Sequence, residues 1–140
     1  MVAFETTPRR TTLDRALSAL AYGRIALGAT ALAAPDTAAR LALTRPTPEL
    51  RYMTRIFGAR AIALGLGYLT AAPGDRPRWQ RLALMVDVLD TTSGSAHLVR
   101  GDIPRGVVAA FVGLTGGYAT IGARRFLRDR RALTSRGTAR

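Results

Sequence analysis

RLALMVDVLDTTSGSAHLV, residues 81–99, is the stretch on which the fold turns. It is an apolar run broken by Asp87 and Asp90, three residues apart, a spacing that puts both carboxylates on one face of a helix. Outward from it, three more apolar stretches alternate with Arg- and Pro-rich connections: LDRALSALAYGRIALGATALAA at 13–34, MTRIFGARAIALGLGYLTAA at 53–72 and GVVAAFVGLTGGYATIGA at 106–123. The first two each carry an arginine well inside, Arg24 and Arg60. Four charges of zero net sum therefore interrupt the apolar stretches, and the solvent around those stretches decides what the charges cost.

Each stretch is about 18–22 residues, close to the ~20 that cross a ~30 Å hydrocarbon core as a helix. A soluble helical bundle is the competing fold, but an exposed helix face needs charge every turn or so. Residues 25–34, 61–72 and 106–123 carry none. The expected fold is all-α: a single-domain four-helix transmembrane bundle, residues 1–140, with spans at about 13–34, 53–72, 81–99 and 106–123. The first stretch is too long for a removable signal peptide and lacks a cleavage-site context. In the first connection, Asp36 or Thr37 can cap a short helix carrying Ala38, Ala39, Leu41 and Ala42, with Pro46 and Pro48 ending it. That predicts a short interfacial helix between spans one and two.

The net charge is +12, every basic residue is an arginine, and mean hydropathy is only slightly positive. Seven arginines fall in residues 124–140, which read as a basic cytoplasmic tail, a helical extension that becomes disordered and that either suits anionic headgroups or serves as a plain topology signal with no specific lipid. With four spans, thirteen flanking arginines gather on the side of the two termini and six on the other. The basic excess predicts a multi-pass cell-membrane protein with both termini cytoplasmic. Trp79, Tyr52 and Tyr68 are candidate interfacial anchors. A soluble, basic nucleic-acid-binding helical protein is an alternative, yet aromatic residues are scattered instead of interleaved with the arginines, and no nucleic-acid partner is expected. Cysteine is absent and His97 is the single histidine, which excludes disulfides, thiol catalysis and a multi-histidine metal site within one chain. LGLGYL (64–69) and GLTGGYATIG (113–122) lie inside apolar stretches with no GK[ST], so no phosphate loop, cofactor or metal is expected.

Ionisable residues within a membrane are functional candidates by default. Helix rise places Arg24 and Asp90 at similar depth, with Arg60 about one turn to one side and Asp87 about one turn to the other. The expected ladder runs Arg60–Asp90, Asp90–Arg24, Arg24–Asp87. One reading is a neutral clamp that organises the bundle, with a lipid or a partner helix as possible company; the protein is then non-enzymatic. The other is a membrane enzyme using Asp87 and Asp90 as general acid and base on a lipophilic substrate. Thr91, Thr92, Ser93 and Ser95 either extend the polar seam or bond back to their own helix. His97 sits at the outer end of its stretch, suited to an interfacial hydrogen bond. Small residues at four-residue intervals, Ala19/Gly23, Ala61/Gly65 and Gly113/Gly117, allow close helix approach within the chain, in a homo-oligomer or against a partner membrane protein.

GRIALGATALAAP, then YMTRIFGARAIALGLGYL, then RPRWQRLALMVDVLD resembles the small four-helix integral membrane proteins of unknown function common in actinobacteria. The likeness rests on Gly58-Ala59-Arg60, a G-x-R motif, and on Asp87 to Asp90, a D-x-x-D motif, and covers about residues 13–123. It implies membrane residence, four helices and polar positions at Arg24, Arg60, Asp87 and Asp90, and it implies no activity. In size and helix number the chain is loosely similar to DoxX-like membrane proteins.

Overall fold

The structure is a computed structural model that describes residues 11–137, without the side chains of 132, 133 and 135–137. Arg9, Arg10, Arg140 and the side chain of Arg136, counted above among the flanking charges, lie outside the described residues. The described chain is all-helical: α1 (Thr12–Ala33), α2 (Pro35–Leu41), α3 (Pro48–Thr70), α4 (Arg76–Arg100) and α5 (Arg105–Gly137).

Local chemistry sets the ends. Thr11 and Asp14 form a capping box: the Thr11 hydroxyl accepts from the Asp14 amide at 3.2 Å and the Asp14 carboxylate from the Thr11 amide at 2.9 Å. The short helix is there as α2, but it starts at Pro35 with no side-chain cap, and Pro48 opens α3 instead of closing α2. A turn at Leu43 with φ 56° separates the two, and the Thr47 hydroxyl caps α3 at the Leu50 amide. Gly101, at φ 69°, ends α4 in the left-handed conformation that glycine adopts without strain.

The expectation of four spans is overturned. Among the described residues only two helices are long and apolar enough to cross a membrane, Thr12–Ala33 and Arg105–Arg131. The reason lies in the elements that carry the charges. The helix α4 begins with Arg76, Arg78 and Arg81, contains Gln80, Asp87 and Asp90, and ends with His97 and Arg100; α3 carries Glu49, Arg51, Arg55 and Arg60. Flanking arginines that looked like connections are turns of helix.

The four long helices pair off. The helix α1 lies antiparallel along α3, and α4 antiparallel along α5, while the two pairs meet each other over less surface. Glycine explains the first pairing: a Cβ on Gly28 would stand 2.5 Å from the Gly58 carbonyl oxygen, and one on Gly58 would stand 2.7 Å from that of Gly28. Gly65 repeats the contact against the Ala21 carbonyl at 2.7 Å. Backbone touches backbone along this line, which only residues without a side chain permit. In the second pair Gly94 receives Val112, and Gly122 receives Leu84. The apolar core is small, centred on Leu17, Ala21 and Tyr68 with Leu20, Leu69, Trp79 and Ile121 around it. Many large apolar side chains face outward instead, among them Tyr22, Met53, Leu66, Met85 and Leu89.

Candidate functional site

The site lies where the two helix pairs meet. Arg24 projects from α1, on the turn before the Gly28 contact, and pairs with the Asp87 carboxylate of α4. Both are buried, Asp87 at 2 % exposure and Arg24 at 9 %. The guanidinium of Arg24 also stacks on the Tyr118 ring, 4.3 Å from its centroid, and Gly23 leaves the room that the Tyr118 hydroxyl occupies. One turn along, Arg60 of α3 pairs with Asp90 of α4. This second pair reaches the surface, since the Arg60 side chain is 40 % exposed. Phe57, one turn from Arg60, meets Phe111 of α5 edge to face at 5.3 Å and closes the contact on that side.

Two rungs of the expected ladder are present, Arg24–Asp87 and Arg60–Asp90; no bridge joins Arg24 to Asp90 among the described residues. The three-residue spacing of the aspartates gives each its own arginine, from a different helix. The signs are segregated: both cations belong to the α1–α3 pair and both anions to α4. Every ionic contact of the cluster therefore crosses between the helix pairs.

Thr91 does both things considered for it. Its hydroxyl bonds to the Asp87 carbonyl at 2.6 Å and meets the Thr115 hydroxyl of α5 at 2.9 Å. Thr115 in turn donates to the Phe111 carbonyl and is 2 % exposed, the most enclosed polar side chain described. Thr92 bonds back to the Val88 carbonyl on an exposed face, and Ser93 is exposed too. His97 stands apart from the cluster, near the end of α4, with Nδ1 2.8 Å from Asp102 Oδ1. That contact holds the Asp102 carboxyl below the usual carboxylate range, helped by Arg100.

Several residues at the meeting of the pairs had escaped sequence reasoning. Tyr118 was one of many scattered aromatics, Thr115 a single hydroxyl in a glycine-rich run, and Gln80 one more polar residue near arginines. Gln80 donates to the Gly122 carbonyl at 3.3 Å. Arg125, counted only as part of the tail, bridges Asp14 of α1 at 2.5 Å and Asp129 at 3.0 Å. The available signal was spacing: Arg125, Tyr118 and Thr115 follow the one face of α5 that meets charged or hydroxylated residues of α1 and α4.

Two cavities flank the Arg24–Asp87 pair. One, about 10 Å³, touches Arg60, Asp90 and Thr115; the other, about 30 Å³, touches Tyr68, Gln80 and Tyr118. The smaller has room for about one water molecule and the larger for little more. Among the described residues no group of three histidines or carboxylates is placed to hold a metal ion. No protein-family model, curated protein or solved structure matches this chain.

Proposed function

We propose that this is a small membrane-associated helical protein in which Arg24, Arg60, Asp87 and Asp90 act as a neutral clamp between two helix pairs, and not as a catalytic centre. The observation that carries the reading is that each carboxylate is engaged by a guanidinium from the opposite helix pair, with space beside the inner pair for about a water. A general acid or base needs a substrate within hydrogen-bond reach, and the two cavities beside Asp87, about 10 and 30 Å³, have room for little more than water. The apolar helices α1 and α5 supply the membrane contact. The start of α1 and the far part of α5 share one end of the molecule, tied by Asp14 and Arg125, and the arginine excess puts that end, with both termini, on the cytoplasmic side. The resemblance to the actinobacterial membrane proteins agrees with this reading and adds no activity to it.

The test is a double-mutant cycle on Arg24→Gln and Asp87→Asn, read by thermal unfolding. Removing either partner leaves a buried charge alone and is expected to destabilise by about 3–5 kcal/mol, with the double variant recovering much of that loss. The pairing also orders the couplings: Arg24 with Asp87 exceeds Arg24 with Asp90. An apolar replacement, Arg24→Met with Asp87→Leu, is expected to fold. Additive losses in the cycle would sink the clamp and return the two aspartates to candidacy for acid–base chemistry.

A further inference from the structure

Antiparallel packing brings arginines from three helices to one end of the molecule: Arg15 at the start of α1, those at the start of α4 and those of α5 beyond Gly122. Five arginines there, Arg15, Arg78, Arg124, Arg128 and Arg131, are exposed and make no ion pair or hydrogen bond among the described residues. Of the local acids, Asp14 and Asp129 are both engaged by Arg125, which leaves exposed Asp75, just before α4, as the one carboxylate to set against the five among the described residues. At the opposite end Asp36 pairs with Arg51, Asp102 with His97 and Arg100, and Glu49 lies exposed.

The exposed face of α5 gives this end its character. It runs Gly113, Gly117, Thr120 and then Arg124, Arg128, Arg131, each step three or four residues, so all six lie along one line on the helix. A Cβ on Gly113 or Gly117 would meet nothing within 4 Å, so this line is bare and uncharged until it turns to arginine. The change falls near the level at which Trp79 packs over Gly67 and Arg78 opens outward from α4. Arg128 and Arg131 lie past Arg125, the last ionic tie of α5 to α1 among the described residues, and Leu127 stands exposed between them and Arg124. A smooth apolar surface that gives way on three helices to unpaired arginines beside an aromatic ring matches the passage from hydrocarbon to headgroups.

We propose that Arg15, Arg78, Arg124, Arg128 and Arg131 form a collar that binds the phosphate-bearing headgroups of an anionic bilayer leaflet. This deepens the membrane reading above and rests on it. Arginine suits the task, because its planar fork takes two phosphate oxygens at once, and free donors need no rearrangement to meet them.

The experiment follows thermal unfolding of the full-length protein in detergent micelles carrying phosphatidylglycerol, phosphatidylcholine or neither, and with inorganic phosphate alone. Phosphatidylglycerol is expected to raise the midpoint by several degrees and phosphatidylcholine to leave it unchanged. Replacing the five arginines by glutamine abolishes the difference, replacing them by lysine keeps most of it, and the opposite-end variant Arg40→Gln, Arg45→Gln, Arg55→Gln, Arg105→Gln keeps it. In the wild type, salt that cuts the Debye length to about 3 Å removes it, a readout that needs no variant to fold. Equal shifts with both lipids, an equal loss in the opposite-end variant, or a shift from inorganic phosphate alone would overturn the collar. So would a shift produced by a short RNA duplex and not by phosphatidylglycerol. None of these outcomes touches the Arg24–Asp87 cycle, and a protein that dissolves without detergent would instead remove the membrane reading itself.

Discussion

Arg24 and Asp87 are each the reason the other can be where it is. An isolated charge withdrawn from water costs several kcal/mol even after relaxation, on the order of the stability of a small domain, so neither is buried without a partner and further polar contacts. Tyr118 supplies such a contact to the guanidinium, and the Thr91–Thr115 hydroxyl pair packs beside the aspartate. The exposed pair Asp36–Arg51, at 2.6 Å between α2 and α3, behaves differently. The hydrogen bond from Arg51 holds the Asp36 carboxyl below its ordinary value, with the Arg51 charge adding to the effect. A lowered carboxyl pKa stabilises the fold above the unfolded value near 4 and loses that contribution as pH falls through the folded value. Asp36→Asn is therefore expected to change the midpoint little at pH 7, because a solvated pair contributes little. Below about pH 4 it should blunt the acid-induced fall of the midpoint, measured by unfolding between pH 2 and pH 7.

Among the helices, glycine divides into two kinds. Gly28, Gly58 and Gly65 are the places where α1 and α3 touch backbone to backbone, so an added methyl has nowhere to go. Gly113 and Gly117 sit at the same spacing on α5 with open space around them. Gly58→Ala is expected to destabilise by about 1–3 kcal/mol through overpacking. Gly113→Ala is expected to stabilise by about 0.4–1 kcal/mol by removing backbone freedom from the unfolded chain. Thermal unfolding of the two variants checks the contrast, and equal effects of one sign would contradict the packing. Of the small-residue pairs in the sequence, Ala61/Gly65 is buried against α1, Ala19 is exposed and Gly23 meets Tyr118, while the Gly113/Gly117 line is unpacked within the chain. Small residues at helical spacing say that a close approach is possible, and the partner helix decides whether it happens.

For the molecule as a whole, α1 and α5 are the apolar helices and many large side chains of α3 and α4 face outward. An outward apolar surface of this kind on a small protein needs cover. The chain is expected to sediment with membranes, to resist a wash with alkaline carbonate or concentrated salt, and to be released by detergent. Release by salt alone would mean that the arginines, and not the apolar helices, hold it there.

The all-helical class, the existence of a short helix after α1 and the two aspartates on one face of α4 were legible in the sequence, because apolar periodicity and residue spacing are local properties; the ends of that short helix were misread, since Pro35 opens it and Pro48 belongs to α3. The charge pattern also pointed to Arg24, Arg60, Asp87 and Asp90, since buried ions need opposite partners. What local reading could not supply was how many stretches suit a membrane, because Asp87, Asp90, the hydroxyl run from Thr91 to Ser95 and His97 within α4, and Arg55 and Arg60 within α3, make those helices too polar. Tertiary structure alone decided the pairing: Arg24 takes Asp87, Arg60 takes Asp90, and no bridge links Arg24 to Asp90. It also decided which glycines are contacts and that Arg125 belongs with Asp14, more than a hundred residues away in the chain. The physical reason is common to all three. Spacing along a helix says which residues share a face, whereas the neighbour that a face meets is set by how helices distant in sequence pack together.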